Sequence, residues 1–330
     1  MKILFAIQGT GNGHISRARE IIPYLQQHGE VDILISGTQA DVVLSHPIKY
    51  KFHGFSFVFG KNGGVNHWQT FKIINLRQFW KDMHSIPIHD YNLIVNDFEP
   101  LTAWACKLKK VKSVSLSHQA SFVSNKTPRP PKGGPKYAEW ILNYYAPTSH
   151  HIGFHFKPYD SFIHTPVIRS QIRELQTQNL GHYTVYLPAV DDKKLVKHLL
   201  ALPNTQWQVF SKHQKTPYTY ANVKVSAIAN EAFNTSLATC EGLLTGGGFE
   251  GPAEALYLGK KLLMVPMSNQ YEQECNAEAA RLLGVKVIKK IDATFAQQLK
   301  IWINESYKID INFSNETETI VANMVRKYAL

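Results

Sequence analysis

Residues 243–277, LLTGGGFEGPAEALYLGKKLLMVPMSNQYEQECNA, hold residue types suited to gripping an anion and the hydroxyl groups beside it. Three consecutive glycines, Gly246, Gly247 and Gly248, pack nothing and lose much conformational freedom on folding. They make sense where backbone approaches a ligand closely. They stand between an apolar strand and a helix opened by Phe249 and Glu250. Their N–H groups and the positive helix end would therefore share one small volume, which suits a phosphate. Glu250 and Glu254 lie four apart on one helix face, and Glu254 would accept from ribose hydroxyls. Glu272, Gln273 and Asn276 occupy the first turn of the next helix; Glu272 and Gln273 would take sugar hydroxyls, and Asn276, with Gln270 just ahead, joins them as a donor-binding candidate. A diphosphate flanked by polyols is a nucleotide-sugar. Plainer readings stand beside these: close strand–helix packing for the glycines, and helix capping for Glu272.

A second glycine loop, Gly9-Thr10-Gly11-Asn12-Gly13-His14, directly follows the first apolar run. Ligands of open α/β sheets gather at the carboxyl ends of strands, so this loop, with Gly11, Asn12 and Gly13, faces the expected crevice. The run is not a clean G-x-G-x-x-G, and Ser36-Gly37-Thr38 replaces the acidic residue that a dinucleotide site expects. His14 would sit at a helix N-terminus, where the dipole keeps imidazole neutral and able to act as a base. Asp97 ends another apolar run and would orient His14 by accepting its second ring N–H, or else cap the helix that starts at Pro100. No Asp-x-Asp occurs, and the helix-spaced His150, His151 and His155 have no carboxylate or Cys close by in sequence, so no metal site is expected.

Apolar runs alternate with helical patterns, which implies parallel sheets. Strands are expected over Ile3–Ile7, Val31–Ser36, Asn92–Asn96 and Ser113–Leu116, with helices over His14–Gln27, Gln39–Leu44 and Pro100–Leu108. The alternation pauses near 160–182. It resumes with strands at Tyr183–Leu187, Gln206–Phe210, Gly242–Thr245 and Lys261–Val265, and helices at Lys193–Leu200, Asn230–Thr239, Gly251–Leu258 and Glu272–Leu283. The fold class is α/β, with two Rossmann-like domains facing a cleft. Residues 1–165 form the first domain and 166–314 the second. A closing helix over 315–330 returns to the first. Asn125–Lys136 reads as a mobile basic loop.

The 330 residues carry a net charge of +11. Residues 1–165 hold 18 Lys+Arg against 10 Asp+Glu, so this half would meet something anionic. The segment Phe52–His89 mixes aromatics with Lys and Arg and is the candidate acceptor region, suited to a lipid-linked acceptor at an anionic membrane face. No apolar run approaches the roughly 20 residues of a membrane span, and the N-terminus reads as a buried strand, not a signal peptide. Cys106, Cys240 and Cys275 are odd in number and widely spaced, which implies a reducing compartment. A nucleic-acid partner is ranked last, because no known binding module is present.

The residues just described resemble the GT-B Leloir glycosyltransferases, especially the UDP-glycosyltransferases and the N-acetylglucosaminyltransferase that forms lipid II. The family signature is carried by Gly247-Gly248, Glu254-Ala255-Leu256, Gly259, Pro266 and Glu272-Gln273-Glu274-Cys275-Asn276-Ala277. The loop Gly11-Asn12-Gly13-His14 resembles the acceptor-side loop that carries the family's catalytic His, and Leu93–Pro100 the strand whose Asp pairs with it; Gly246 replaces the phosphate-binding His of plant-type members, and Glu272 replaces their Asp. The resemblance implies an inverting, metal-independent transferase with no cofactor and a UDP-sugar as co-substrate. The acceptor would be a glycan or lipid-linked hydroxyl of the cell envelope, and the protein cytoplasmic, peripheral at the inner membrane face. A UDP-sugar 2-epimerase and a non-catalytic nucleotide-sugar-binding subunit are the alternatives.

Overall fold

The computed structural model of the chain describes residues 1–37, 44–54, 75–306 and 309–329. Most of the expected Gln39–Leu44 helix, and residues 55–74 of the aromatic basic segment, lie outside the described residues.

The first half builds one parallel sheet. Its strands are β1 (Lys2–Gln8), β2 (Glu30–Ser36), β3 (Tyr50–Phe52), β4 (Leu93–Asp97), β5 (Val114–Ser117), β6 (His150–Phe154) and β7 (Ile163–His164). Their spatial order is β3-β2-β1-β4-β5-β6-β7. Helices α1 (Asn12–Gln26), α2 (Leu76–Ser85), α3 (Pro100–Leu108) and α4 (Lys136–Tyr144) connect or flank them. Ile3 to Ile7 are fully buried, because a central parallel strand is covered on both faces and so reads as an unbroken apolar run. In register, Ile7 lies between Ile35 of β2 and Asp97 of β4. The loop after β1 and the end of β4 are therefore neighbours at the carboxyl edge of the sheet.

After a short helix, α5 (Ser170–Arg173), the second sheet begins. It contains β8 (His182–Tyr186), β9 (Gln206–Ser211), β10 (Tyr218–Tyr220), β11 (Val223–Ala227), β12 (Gly242–Gly246), β13 (Lys261–Val265) and β14 (Lys286–Val287). Their order is β10-β11-β9-β8-β12-β13-β14, parallel except for the β10–β11 hairpin. Helices α6 (Asp192–Leu200), α7 (Asn230–Thr239), α8 (Glu250–Tyr257), α9 (Tyr271–Leu282) and α10 (Phe295–Asn304) alternate with the strands. The chain thus forms two Rossmann-like domains. The β10–β11 hairpin, β6, α4 and α10 were not legible from periodicity.

Helix α11 (Thr317–Tyr328) crosses back to the first domain. It buries Ile320, Val321, Met324 and Val325, and its Tyr328 ring stacks on His150 at 4.4 Å. One apolar cluster runs through the contact between the domains, joining Phe156 and Ile168 to Phe249, Ala253 and Ala277. The 125–135 stretch is irregular, as expected, yet tied down: Arg129 donates to the Phe122 and Thr127 carbonyls at 2.8 Å and to Glu139 at 3.0 Å.

Candidate active site

At the carboxyl edge of the first sheet, His14 Nδ1 donates to Asp97 Oδ1 at 2.8 Å. His14 stands in the first turn of α1, after Gly11, whose φ of 95° suits glycine. Asp97 is fully buried. Its acceptance of the Nδ1 proton leaves Nε2 as the basic nitrogen. Asp97 does not cap α3. Glu99 does, accepting from the N–H groups of Leu101 and Thr102 at 2.7 Å while Ser36 Oγ donates to it at 2.6 Å. Asn96 closes the turn with two hydrogen bonds to the Glu99 backbone, at 2.7 and 2.9 Å, around Phe98 at φ 56°. Backbone strain of this kind collects at functional sites. Here it turns Asp97 toward His14, and the Phe98 ring lies parallel to the imidazole at 6.5 Å.

Arg17, one helical turn after His14, is the residue that periodicity hid. It is 3% exposed and donates from Nη2 to the same Asp97 oxygen at 2.6 Å. From Nη1 it donates to Glu250 in the first turn of α8, across the interface. Burial alone would raise the Asp97 pKa, but the Arg17 guanidinium beside it and the hydrogen bonds from His14 and Arg17 hold it below the usual carboxylate value. Asp97 Oδ2 is buried and has no hydrogen-bond partner among the described residues. The only available signal for Arg17 was its i+3 spacing from His14.

The glycine loop faces this cluster from the second domain. Gly13 lies against the Glu250 carboxyl, 3.4 Å from the point a Cβ would occupy. The loop differs from three bare amides. Gln273 Oε1 accepts from Gly247 N–H at 3.1 Å and from Met267 N–H at 3.0 Å, and Asn276 Nδ2 donates to the Gly247 carbonyl at 3.1 Å. Two residues expected to bind the donor, Gln273 at its sugar hydroxyls and Asn276 beside it, therefore hold the loop itself, because α9 packs directly on it. Gln270 caps α9 by accepting from Gln273 N–H at 2.8 Å. A Cβ at Gly248 would meet nothing within 4 Å, so Gly246 and Gly248 keep the loop's open side. Glu254, expected at ribose, accepts from Arg169 at 2.5 and 2.8 Å and is 3% exposed.

Glu272 keeps an outward role. It accepts from Gln119 Nε2 of the first domain at 3.1 Å and is partly exposed. Phe249 stacks on the buried ring of His118 with centroids 3.8 Å apart. His118 lies between two oxygens, Phe154 O and Asn276 Oδ1, each at 2.8 Å. Burial pushes its pKa down to about 3, so the neutral ring donates to one of them at a time. His118 and Gln119 carried no motif, and their partners are about 150 residues away. His150, His151 and His155 do not converge: they meet Tyr328, Ser115 and Phe156 respectively. An open groove of about 480 Å³ lies beside α4, lined by Lys107, Ser113, Asn143, Tyr144, Ser149 and His151. A separate small void of about 20 Å³ lies past Ser115 and Ser117 and is lined also by Phe98 and Gln119.

Two outcomes follow from this packing. A Cβ at Gly247 would fall 2.6 Å from Gln273 Cβ and 2.7 Å from its carbonyl oxygen. Gly247→Ala should lose about 1–3 kcal/mol in thermal unfolding, while Gly248→Ala stays within about 0.5 kcal/mol of wild type. Equal melts for the two variants would refute the close approach. His118 is neutral when folded, with a pKa of about 3 against 6.5 when free, so the unfolded chain binds the extra proton between those values. Its contribution to stability is complete above about pH 6.5 and is lost as pH falls. Between pH 7.5 and 5 wild type should lose about 2 kcal/mol more than His118→Gln in urea unfolding. Parallel losses would place the acid sensitivity elsewhere.

A search of curated protein sequences gave no match. Among solved structures the chain is similar to spinosyn forosaminyltransferase SpnP (13% identity, TM-score 0.57, 99% of this chain and 94% of that one). It is similar also to a UDP-glucosyltransferase from Polygonum tinctorium capable of glucosylating indoxyl (13%, TM-score 0.62, 99% and 93%). A third similar structure is UGT89C1 of Arabidopsis thaliana complexed with UDP (12%, TM-score 0.58, 99% and 94%). At such identities the likeness is one of fold, and that fold is GT-B. The sequence model of glycosyl transferase family 1 matches residues 1–304. That match spans both sheets, and the chain accordingly belongs to glycosyl transferase family 1 and is a glycosyltransferase.

Proposed function

We propose that the chain transfers a sugar from a UDP-sugar to an acceptor hydroxyl, with inversion and without a metal ion. The hydrogen bond of 2.8 Å from His14 to the buried Asp97, facing the first turn of α8, carries this reading. His14 Nε2 takes the acceptor proton as the oxygen attacks the anomeric carbon. The bond from that carbon to the diphosphate breaks, and the departing charge falls toward the open side of the Gly246–Gly248 loop and the α8 N-terminus. Glu272 is placed for sugar hydroxyls, and Glu254 reaches ribose once it exchanges Arg169 for it. UDP is favoured because the similar UGT89C1 and LpCGTa structures are complexes with UDP. The absence of an Asp-x-Asp pair supports metal independence.

His14→Ala should cut transfer by about 10²–10⁴ while leaving UDP binding in place. Product analysis of wild type should show a glycoside only when acceptor is present. Near-normal transfer by the variant would remove His14 as base. A changed sugar nucleotide formed without acceptor would mean an epimerase.

A lipid-linked acceptor at a membrane face is the finer form of this proposal. No described helix is long and apolar enough to cross a membrane. Exposed Leu76 and Trp80 on α2, beside Arg77 and Lys81, suit contact with an anionic lipid surface instead. Co-sedimentation with vesicles containing phosphatidylglycerol should be strong at low salt and weakened by Trp80→Ala. No sedimentation at low salt would exclude this contact.

A further inference from the structure

Arg17 is the best-placed buried group that the proposed chemistry leaves unused. It is 3% exposed, and its Nε is buried without a partner among the described residues. A buried cation is costly unless paired, and Arg17 is paired twice: with Asp97 of its own domain and with Glu250 of the other. The second partner stands in the first turn of α8, two residues beyond Gly248. That is the volume the donor's diphosphate is expected to enter.

Two further observations bear on this volume. Carboxylates outnumber cations there, since Asp97, Glu250 and Glu272 surround one guanidinium. An entering diphosphate would be repelled unless one carboxylate yields. The glycine loop is also short of donors, because the Gly247 N–H is already taken by Gln273. A guanidinium presents paired N–H groups that match phosphate oxygens as well as they match a carboxylate.

We propose that Arg17 is the cationic partner of the donor's diphosphate, and that Glu250 holds its place in the ligand-free protein. This rests on the nucleotide-sugar reading above. Donor binding exchanges one anion for the other: Glu250 is released and the guanidinium turns to the phosphate oxygens. Arg17 Nη2 and His14 Nδ1 converge on one Asp97 oxygen and lie 3.2 Å apart. The exchange concerns Nη1 alone, so Nη2 stays on Asp97 and the His14–Asp97 hydrogen bond is kept when the donor is in place.

The two ends of the ion pair should respond with opposite signs. In titration calorimetry, Arg17→Gln should bind UDP about tenfold or more weakly than wild type, with uridine affinity unchanged. Arg17→Lys should fall between them. Glu250→Gln should bind UDP at least as tightly as wild type, because the competing carboxylate is gone. Equal UDP affinity in wild type and Arg17→Gln would overturn the proposal, and so would a parallel loss of uridine binding. If Arg17→Gln fails to fold, Arg17→Lys and Glu250→Gln still decide: a large loss of UDP affinity in Glu250→Gln would overturn it. Wild type that binds no nucleoside diphosphate would instead remove the donor reading itself.

Discussion

A single carboxylate withdrawn from water organises this molecule. Asp97 is fully buried at the end of β4, and a buried charge persists only with partners. Its partners are His14 and Arg17, one turn apart on α1. The pair that satisfies Asp97 also fixes the ring orientation of His14. Arg17 then reaches Glu250, so partnering one anion also ties α1 of the first domain to α8 of the second. The orientation of His14 and the approach of the domains are thus two results of one requirement.

The second domain meets that requirement with a loop that has almost no side chains. Gly247 lets α9 lie against the loop, and Gln273 and Asn276 hold its backbone from the other side. Asn276 also meets His118 of the first domain, whose ring lies flat on Phe249. The contact between the domains is therefore apolar and polar at once. Stacking and the shared apolar cluster supply area, while the Arg17, Gln119 and His118 contacts set the alignment. A loop held this firmly presents its remaining open side with little freedom left to lose when a ligand arrives, which is how preorganisation helps binding.

Much of the candidate site was legible. Glycines directly after an apolar run, then His14, mark a strand end that opens into a helix, and an Asp closing another apolar run marks a second strand end. Parallel pairing places both on one edge, and Ile7 beside Asp97 is that placement. The capping role was harder. Asp97 and Glu99 both precede Pro100, and Glu99 takes the cap because its carboxylate lies directly beside the free N–H groups of Leu101 and Thr102. Gln273 looked like a ligand for hydroxyls because its neighbours are polar. Its occupation by Gly247 and Met267 follows from how closely α9 packs, a distance that residue types do not encode.

Most strand runs and helix starts, the glycine loops and the α/β alternation depend on neighbours within a few residues, so reading along the chain was enough to place them. The pairs Arg17–Glu250, Gln119–Glu272 and His118–Asn276 join residues 153 to 233 positions apart. Charge and hydrogen bonding act through distance in space, and nothing in either local stretch specifies that distance. It is set when two independently built sheets dock and every charge left inside must find a counterpart.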